Sequence, residues 1–471
     1  MIIRKLTNDL LALICRLSPK AKDFDAAWYC ARYRDVADSG IDPLLHYCRF
    51  GYREGRDPNP MTSLSGERLT ESPQFSVSRL GDSGILAISG DRELIDKAPT
   101  ILCCGHQAGH ELYGAERSFL DTLAVLAELK VNLVVTLPEA FNEDYLAAIR
   151  PHCSRLLILP YGWWAFGTEP QPMVVERFQS IIESFGVSAV YANTVVLFEP
   201  LIAGRIMAVP VSVHVRELPY QDPSLCALMR ADAEAVIQHL RETSDFQLVN
   251  SRFTGETLRL DDPIVIPNSV NVENFKSISP PDCESHPLRV GMISSNLPKK
   301  GLDDFIALAG IFADEGSPIR FKLIGPENEH TRLIERQQAA GEISDNIDIL
   351  GYIASPQAAL NELDVLLNLS HFEESFGRTV LEAMAAARPV VVYDRGALSE
   401  LVRHKQSGYL VKFGHIEGIK RCIERFLIDP QLLCVLGQSG KRRATEQFGV
   451  LSVKAGLEHW LDLVYSPRKT G

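Results

Sequence analysis

The sequence lacks several features on which common kinds of site depend. Its ten cysteines are scattered and form no CxxC pair, so neither a zinc site nor a disulfide framework is predicted, and reduced thiols in the cytoplasm are expected. No apolar run approaches the length of a membrane span, and no DxD motif follows a predicted strand to indicate a metal ion. An excess of positive charge is also missing. The formal net charge is −12, which argues against nucleic acid as the main partner.

Residues 1–20 carry no signal for cleavage, because their apolar stretch is short and follows Asp9, and no small-residue cleavage site comes after it. Two interpretations of these residues remain open. An amphipathic helix packed on its own domain is the preferred one. The alternative is an interfacial helix that makes peripheral contact with an anionic membrane, so that the protein is cytoplasmic but membrane-associated.

What is present indicates a globular protein of more than one domain. The chain has 471 residues, of which 46% are hydrophobic and 23% charged, and this length is too great for one compact core. Residues 1–60 read as an aromatic-rich helical module and residues 61–97 as a linker with at most a short strand near 84–89. Two larger domains are predicted over 98–275 and 283–449, with a C-terminal helix over 450–468 as a candidate to pack back on the first.

Both larger domains alternate short apolar runs with helical stretches, the pattern of βαβ units around a buried parallel sheet. The fold class is therefore α/β, with two Rossmann-like doubly wound domains facing a cleft and a small N-terminal helical module. Ligands of such sheets bind beyond the carboxyl ends of the strands. The predicted strands are 100–104, 131–137, 155–160, 188–192, 210–215, 246–250 and 264–267 in the first domain, and 288–293, 320–325, 346–351, 364–369, 389–394 and 408–412 in the second.

Residues 371–394, HFEESFGRTVLEAMAAARPVVVYD, carry the sharpest chemical signal. Glu374 and Glu382 stand eight positions apart, with a strand before them and a helix beginning near Gly377. The amides that open this helix, from Gly377 to Val380, can donate to a phosphate at the positive end of the helix dipole. A carboxylate at Glu382 suits the two hydroxyls of a ribose, and Glu374 can hold hydroxyls of a sugar. The competing interpretation, that both glutamates only cap or solvate the helix, fits this context less well.

This segment resembles the Glu-x7-Glu region of the retaining glycosyltransferases of family four, whose usual form is EgfGxxxlEAMAxGxPVva. Further segments resemble that family in the same order over roughly residues 100–465, which makes a chance similarity improbable. They are YGAERSFLDTL (113–123), VNSRFT (249–254), VIPNSVNVENF (265–275), VGMISSNLPKKGLDDFI (290–306), KLIG (322–325) and ILGYI (349–353). The string from 24 to 60 resembles a short helical module attached to bacterial polysaccharide glycosyltransferases, with a core predicted from Trp28, Tyr29, Tyr33, His46, Tyr47 and Phe50.

The resemblance implies roles for individual residues. Glu374 would hold the donor sugar, and Lys300, before Gly301, would neutralise the diphosphate. Such enzymes need no metal and no cofactor, the nucleoside-diphosphate sugar being a co-substrate. The remaining donor-binding candidates are Glu382, Gly377, Arg378, Thr379, Val380, Ser295, Gly325 and Tyr352.

The sequence departs from the family pattern at a usual arginine and at two usual glycines. An arginine is usual five or six residues before the lysine, where this chain has Ser294 and Ser295. Loss of that cation weakens phosphate binding unless hydroxyls, amides, Lys299 or Arg378 compensate. Ala387 and Ser269 each replace a usual glycine.

The first domain is expected to hold the acceptor. Gly114 and Ala115 begin a helix after the first strand, and Asn193 follows a strand at a position where the family often has a histidine. His214 is the remaining catalytic candidate, although a lone histidine on a strand is as often a satisfied core residue. His106 and His110 are weaker candidates.

The predicted function is retaining transfer of a hexose or deoxyhexose from a nucleoside diphosphate to a glycan or lipid-linked glycan, for a bacterial surface polysaccharide. Two alternatives remain. The first is another enzyme on the same fold, such as a sugar-nucleotide epimerase; a phosphorylase is less favoured, because no context for a pyridoxal-bearing lysine is visible. The second is a catalytically inactive glycan-binding scaffold, which the serines at 294 and 295 favour.

Overall fold

The computed structural model describes residues 24–33, 36, 41–52, 56–59, 69, 74–81, 84–106, 108, 112–281 and 287–466. The membrane-contact prediction for residues 1–20 and the candidate His110 lie outside these ranges. The described residues form two compact units. The first takes the chain up to Leu248, Asp262–Ile264 and the chain from Trp460 onward, and the second takes Val249–Asp261 and Val265–His459. Within the described residues, no helix combines the length and apolar character that crossing a bilayer requires.

The N-terminal module is helical, as predicted. Its elements are α1 (Ala26–Arg32), α2 (Pro43–His46) and a π-helical turn over Tyr47–Gly51. Asp25 and Asp42 cap the two helices, because each carboxylate accepts a hydrogen bond from a backbone amide three residues further on. The core of the module consists of Trp28, Tyr29, Tyr33, Val36 and Tyr47. Phe50 was predicted to belong to it but is 43% exposed, because the π-helical turn directs it outward.

A buried ion pair joins this module to the first sheet. Arg32 Nη2 lies 3.1 Å from Glu139 Oε2, with side-chain exposures of 1% and 16%. Burial raises the pKa of Glu139, although the Arg32 guanidinium beside it acts in the opposite direction. Glu139 comes two residues after a strand that ends at Leu137, so the module packs at the carboxyl end of that strand.

The first unit is built on a nine-stranded sheet with the order β1-β2-β5-β4-β3-β6-β7-β8-β9. Its strands are β1 (Val77–Arg79), β2 (Leu86–Ser89), β3 (Thr100–Cys104), β4 (Asn132–Leu137), β5 (Arg155–Ile158), β6 (Val187–Ala192), β7 (Val211–Val215), β8 (Phe246–Val249) and β9 (Ile264–Val265). The helices that alternate with them are α3 (Gly114–Ala127), α4 (Glu143–Ile149), α5 (Pro172–Ser184), α6 (Glu199–Ile206), α7 (Pro223–Leu228) and α8 (Ala233–Thr243). The helix α9 (Arg252–Thr257) follows β8 in the chain but groups with the second unit. The central strands β5-β4-β3-β6-β7 are parallel, and they are almost completely buried, as continuous apolar runs predict.

The second unit is built on a six-stranded parallel sheet with the order β12-β11-β10-β13-β14-β15. Its strands are β10 (Leu288–Ile293), β11 (Ile319–Ile324), β12 (Ile347–Gly351), β13 (Val365–Asn368), β14 (Val390–Tyr393) and β15 (Tyr409–Val411). Its helices are α10 (Leu302–Asp314), α11 (Glu329–Ala339), α12 (Pro356–Asn361), α13 (Arg378–Ala385), α14 (Leu398–Leu401), α15 (Ile416–Ile428) and α16 (Gln431–Phe448), and the chain continues into α17 (Val450–Tyr465).

Two boundaries differ from those expected from the sequence. Part of the expected linker over 61–97 is structured, because Val77–Arg79 and Leu86–Ser89 form an antiparallel hairpin that extends the first sheet beside β5. Residues 249–261 were assigned to the first domain but group with the second unit. The reason is local, since the amides of Arg252 and Phe253 donate to the Glu400 carboxylate at 3.1 and 2.6 Å.

Ala387 stands where the resembled family usually has a glycine, and its φ is 54°. This conformation explains why glycine is usual there. A residue with a Cβ in the left-handed region is strained by about 1–2 kcal/mol. Ala387→Gly removes that strain. Glycine also raises the conformational entropy of the unfolded chain, which offsets part of the gain in stability. We expect a net stabilisation of about 1 kcal/mol, measured by chemical unfolding. The neighbouring Ala386, with φ −79°, is the matched control, where glycine should destabilise; equal effects at both positions would contradict the strain argument.

Candidate functional site

The predicted donor residues lie on loops that follow neighbouring strands of the second sheet. Lys300 belongs to the loop after β10, and Glu374 to the loop after β13. These strands pair in parallel, so both loops leave the same edge of the sheet. The tertiary structure therefore brings together two residues that are 74 positions apart.

Lys300 and Glu374 form an ion pair. The ammonium Nζ lies 2.7 Å from Glu374 Oε1, and the two side chains are 22% and 17% exposed. Gly301 permits this approach, because its φ is 83° and a Cβ there would lie 2.0 Å from the Leu369 carbonyl oxygen. The pair is thus partly accessible and held by a turn that only glycine can make.

A three-residue hydrogen-bonded cluster braces the same two loops, and the sequence contained no motif for it. Asp304 Oδ2 accepts from Tyr393 Oη at 2.7 Å and lies 2.8 Å from His371 Nε2. Asp304 is in the first turn of α10, His371 lies in the loop after β13, and Tyr393 ends β14. The cluster therefore fixes the start of α10 against the loop that carries Glu374.

Helix α13 (Arg378–Ala385) begins directly after Gly377, at the place where the sequence predicted an anion site. Gly377 is the N-cap residue with φ 94°, and no side chain caps it within the described part of the chain. A Cβ at this position would lie 2.4 Å from Leu398 Cδ2. The amides of Thr379 and Val380 lie in the first turn, where backbone donors have no partner within the helix. The positive end of the helix dipole is directed to the same loop.

The loop before α13 is also tied to residues 250–254 of the same unit. Ser251 Oγ and Thr254 Oγ1 donate to the Ser375 carbonyl oxygen at 2.7 and 3.2 Å, and Asn250 Nδ2 donates to Ser375 Oγ at 3.0 Å. The polar residues of the VNSRFT segment (249–254) therefore have a structural role, because they hold the loop before α13 in place.

Glu382 is buried, with 5% of its surface exposed. Its Oε1 lies 2.9 Å from Arg378 Nε, one turn earlier on α13. The guanidinium and the carboxylate thus form a pair on one face of the helix. The prediction that Glu382 holds a ribose and that Arg378 contacts the donor stays a prediction.

The residues at the usual arginine position supply no positive charge. Ser294 Oγ accepts from the Asn296 amide at 3.0 Å and donates to Asn296 Oδ1 at 3.2 Å, so its hydroxyl helps to shape the loop after β10. The Ser295 carbonyl oxygen accepts from Asn328 Nδ2 at 3.2 Å. At the ends of the adjacent strands, the Gly325 amide donates to the Gly351 carbonyl oxygen at 3.0 Å, and Tyr352 is 37% exposed.

Two of the first-unit candidates, His214 and Asn193, lie in a buried polar network. His214 is 1% exposed, and its Nδ1 lies 2.7 Å from Tyr191 Oη and 3.2 Å from Arg216 Nη2. Asn193, fully buried, accepts from Arg216 Nε at 3.0 Å and donates to the Ala115 carbonyl oxygen at 3.2 Å. This burial favours the structural interpretation of His214, and its catalytic role remains an untested prediction.

Unlike His214 and Asn193, Gly114 borders open space, because no atom of the described residues, apart from its own helix and chain neighbours, lies within 4 Å of the position that its Cβ would occupy. Helix α3 begins at this glycine. Two residues later, Glu116 accepts from the Tyr113 amide at 3.0 Å and lies 3.0 Å from His106 Nε2. Burial of Glu116 acts to raise its pKa, but the contact with His106 and the backbone amides that donate to the carboxylate together lower the pKa below the usual value. The contact gives His106 a structural role, as the partner of the glutamate that caps the start of α3.

Sequence reasoning missed a buried carboxyl at the start of α6. Glu199 is 5% exposed, and its Oε2 has no hydrogen-bond partner among the described residues. Its Oε1 accepts a long hydrogen bond, 3.4 Å, from the Gln171 amide. Burial raises the pKa of Glu199 to about 7. An early-helix glutamate is normally solvated, so the sequence carried no signal for this.

The chain is similar to known glycosyltransferases in part of its length. Residues 282–443 match the family model described as "Glycosyl transferases group 1". A poly(ribitol-phosphate) alpha-N-acetylglucosaminyltransferase of Staphylococcus aureus (strain COL) is 26% identical over 223 residues, 45% of this chain and 43% of that protein. The capsular polysaccharide biosynthesis glycosyltransferase CapM of Staphylococcus aureus is 22% identical over 169 residues, 36% of this chain and 44% of that protein. The chain thus matches less than half the length of these two relatives.

The similarity of fold extends over more of the chain. The HepE protein of Anabaena, solved in complex with UDP and glucose, superposes with a TM-score of 0.63 at 20% identity. The superposition covers 78% of this chain and 100% of that one. The predicted fold of two doubly wound α/β sheets is confirmed, and the resemblance stated from Glu374 and Glu382 is confirmed for the segment that the family model matches.

Proposed function

We propose that this chain is a glycosyltransferase that moves a hexose or deoxyhexose from a nucleoside diphosphate to a glycan or lipid-linked glycan, with retention of anomeric configuration. The proposed setting is the cytoplasmic synthesis of a bacterial surface polysaccharide. The observation that carries the proposal is the Lys300–Glu374 ion pair beside the Gly377 turn, at the carboxyl edge of the second sheet. The two relatives described above, which are both named as glycosyltransferases, support the proposal.

The charges at this edge suit a leaving diphosphate. Negative charge grows on the phosphate as the glycosidic bond breaks, and an ammonium and aligned amides stabilise that charge best when they are already in place. Lys300 and the amides of the first turn of α13 meet this requirement. The reaction needs no metal or cofactor under this proposal, since these groups supply the positive charge.

The two glutamates take the hydroxyl-binding roles. Glu374 accepts hydrogen bonds from the transferred sugar, and Glu382 accepts them from the ribose. None of the proposed donor residues is placed as a nucleophile. The acceptor hydroxyl therefore attacks the sugar from the face on which the diphosphate departs, and the departing phosphate takes the proton of that hydroxyl. The protein then acts by position and charge. The acceptor is assigned to the first unit, with Gly114 and Ala115 on the loop that begins α3.

A thermal-shift panel of nucleoside diphosphates and their sugars tests the proposal. A true donor raises the melting temperature by mass action, because it binds the folded state alone. Lack of stabilisation by every member would favour the inactive scaffold. A nucleotide sugar that is converted without any acceptor would instead favour an epimerase.

Glu382→Gln should weaken binding of the stabilising nucleotide by on the order of 100-fold, because a neutral amide of equal size loses two charge-assisted hydrogen bonds. Calorimetric titration measures this. Glu417→Gln, on the exposed face of α15, is the matched control and should bind like the wild type. Equal affinities in the two variants would remove Glu382 from the donor site.

A further inference from the structure

Two lysines of the loop after β10 share one aromatic ring. Lys299 Nζ lies 5.1 Å and Lys300 Nζ lies 5.5 Å from the centroid of Phe372. A ring face attracts an ammonium group through its quadrupole, so Phe372 favours both positions. Lys300 in addition reaches Glu374. Two positive charges are therefore gathered at the base of the Glu374 loop.

Backbone contacts fix this arrangement. The Lys299 carbonyl oxygen accepts from the amides of His371 and Phe372 at 2.9 and 3.2 Å. His371 is in turn held by Asp304. The backbone that carries the two lysines is therefore fixed to the backbone that carries Phe372, and the short 3₁₀ turn Pro298–Lys300 presents both lysine side chains from the same loop.

Two neighbouring ammonium groups repel each other, and an anion placed near both relieves that repulsion. A nucleoside diphosphate carries more negative charge than one ammonium neutralises. The residues five and six positions before Lys300 are serines, and the Ser294 hydroxyl is engaged by Asn296. A second cation for a diphosphate must therefore come from elsewhere on this edge.

We propose that Lys299 is this second cation and that Phe372 is the platform that holds both ammonium groups toward the diphosphate. This inference rests on the proposed function and assigns a further binding residue to the same site. Lys299 binds the anionic diphosphate, whereas the base and the ribose do not depend on it.

Calorimetric titration of Lys299→Ala with UDP, GDP and ADP, and with uridine, guanosine and adenosine, tests the inference. We expect the affinity for the diphosphate that the wild type binds to fall about 10-fold, while the affinity for its nucleoside stays unchanged, because only the diphosphate carries the charge. The salt dependence of diphosphate binding should also become less steep. Lys276→Ala is the matched control, an exposed lysine of the same unit.

Two further variants sharpen the test. Ser295→Arg in the Lys299→Ala background returns a cation to this loop and should recover most of the lost affinity. Phe372→Leu keeps the apolar bulk but removes the ring, so it should weaken diphosphate binding and leave nucleoside binding intact. Wild-type behaviour of Phe372→Leu would overturn the role of the platform.

The outcomes separate the two proposals. If the wild type binds none of the diphosphates, the proposed function fails and this inference fails with it. If the wild type binds one of them and Lys299→Ala matches Lys276→Ala, only the role of Lys299 is wrong. An equal loss of diphosphate and nucleoside affinity would also overturn it, because that pattern indicates a distorted loop.

Discussion

Replacing Lys300 by alanine should lower the turnover number for sugar transfer by about 10²–10³-fold, the loss typical when one pre-placed electrostatic donor is removed from an active site. The substitution deletes the ammonium that faces Glu374 at 2.7 Å. Charge on the leaving diphosphate is greater in the transition state than in the bound donor, so kcat should fall more than affinity for the donor. Steady-state kinetics with the donor found by the thermal-shift panel measures both quantities.

Lys276→Ala serves as the control here too, since it removes the same charge from an exposed position. Because Glu374 is itself placed at the transferred sugar, the double variant Lys300→Ala/Glu374→Ala should transfer no faster than Lys300→Ala. A faster double variant would show that the damage came from the unpaired carboxylate and would contradict the role given to Glu374. A turnover number unchanged in Lys300→Ala would contradict the proposed mechanism.

Glu199→Gln should stabilise the first unit at neutral and alkaline pH by about 3 kcal/mol and leave it unchanged near pH 4.5. The folded-state pKa of Glu199 is about 7, above the ordinary value of 4.5, because burial disfavours the ionised carboxylate. Between these values the unfolded chain has released the proton while the folded chain keeps it. Stability of the wild type therefore falls as pH rises through this window and levels off above the folded pKa. Each unit of pKa difference corresponds to about 1.4 kcal/mol.

Hydrogen exchange of the amides of α6 and its neighbours, measured for both proteins between pH 4.5 and 8, reports this difference for the first unit alone. Glu176→Gln, on the exposed side of α5, is the control and should leave the pH dependence as it is in the wild type. If Glu199→Gln and the wild type show parallel profiles, the carboxyl is ionised in the folded protein and has found a partner.

Much of the fold could be predicted from local pattern. Most parallel strands of the two sheets coincide with largely apolar runs, because a strand buried on both faces carries few polar side chains. The strands β11 and β12, nearer the sheet edge, also carry Arg320, Lys322 and Asp348. In the expected linker over 61–97, the short strand predicted near 84–89 corresponds to β2 (Leu86–Ser89). Its partner β1 (Val77–Arg79) was not predicted, since it is short and largely exposed and so lacks this pattern. Phe50 was assigned to the module core on its composition, and only its position on the π-helical turn placed it outside.

The candidate site divides in the same way. The Glu374–Glu382 spacing and the turns at Gly301 and Gly377 are local features, so the sequence predicted them. The Asp304–His371–Tyr393 cluster joins three elements that are distant in the chain, and the partners of its members have no fixed spacing. The burial of His214 and Glu199 depends on what packs over the strand or helix that carries them.

The sequence by itself determined the two doubly wound sheets, the turn at Gly377 and the candidates Glu374 and Glu382, because these depend on periodicity, backbone conformation and chemistry close in the chain. The role of Lys300 came from the family resemblance. Only the tertiary structure decided which charges meet: Lys300 with Glu374, Lys299 and Lys300 with Phe372, and Arg32 with Glu139. The physical reason is that electrostatic energy depends on distance and burial in space, and both are set by how the strands are ordered in the sheet rather than by their order in the chain.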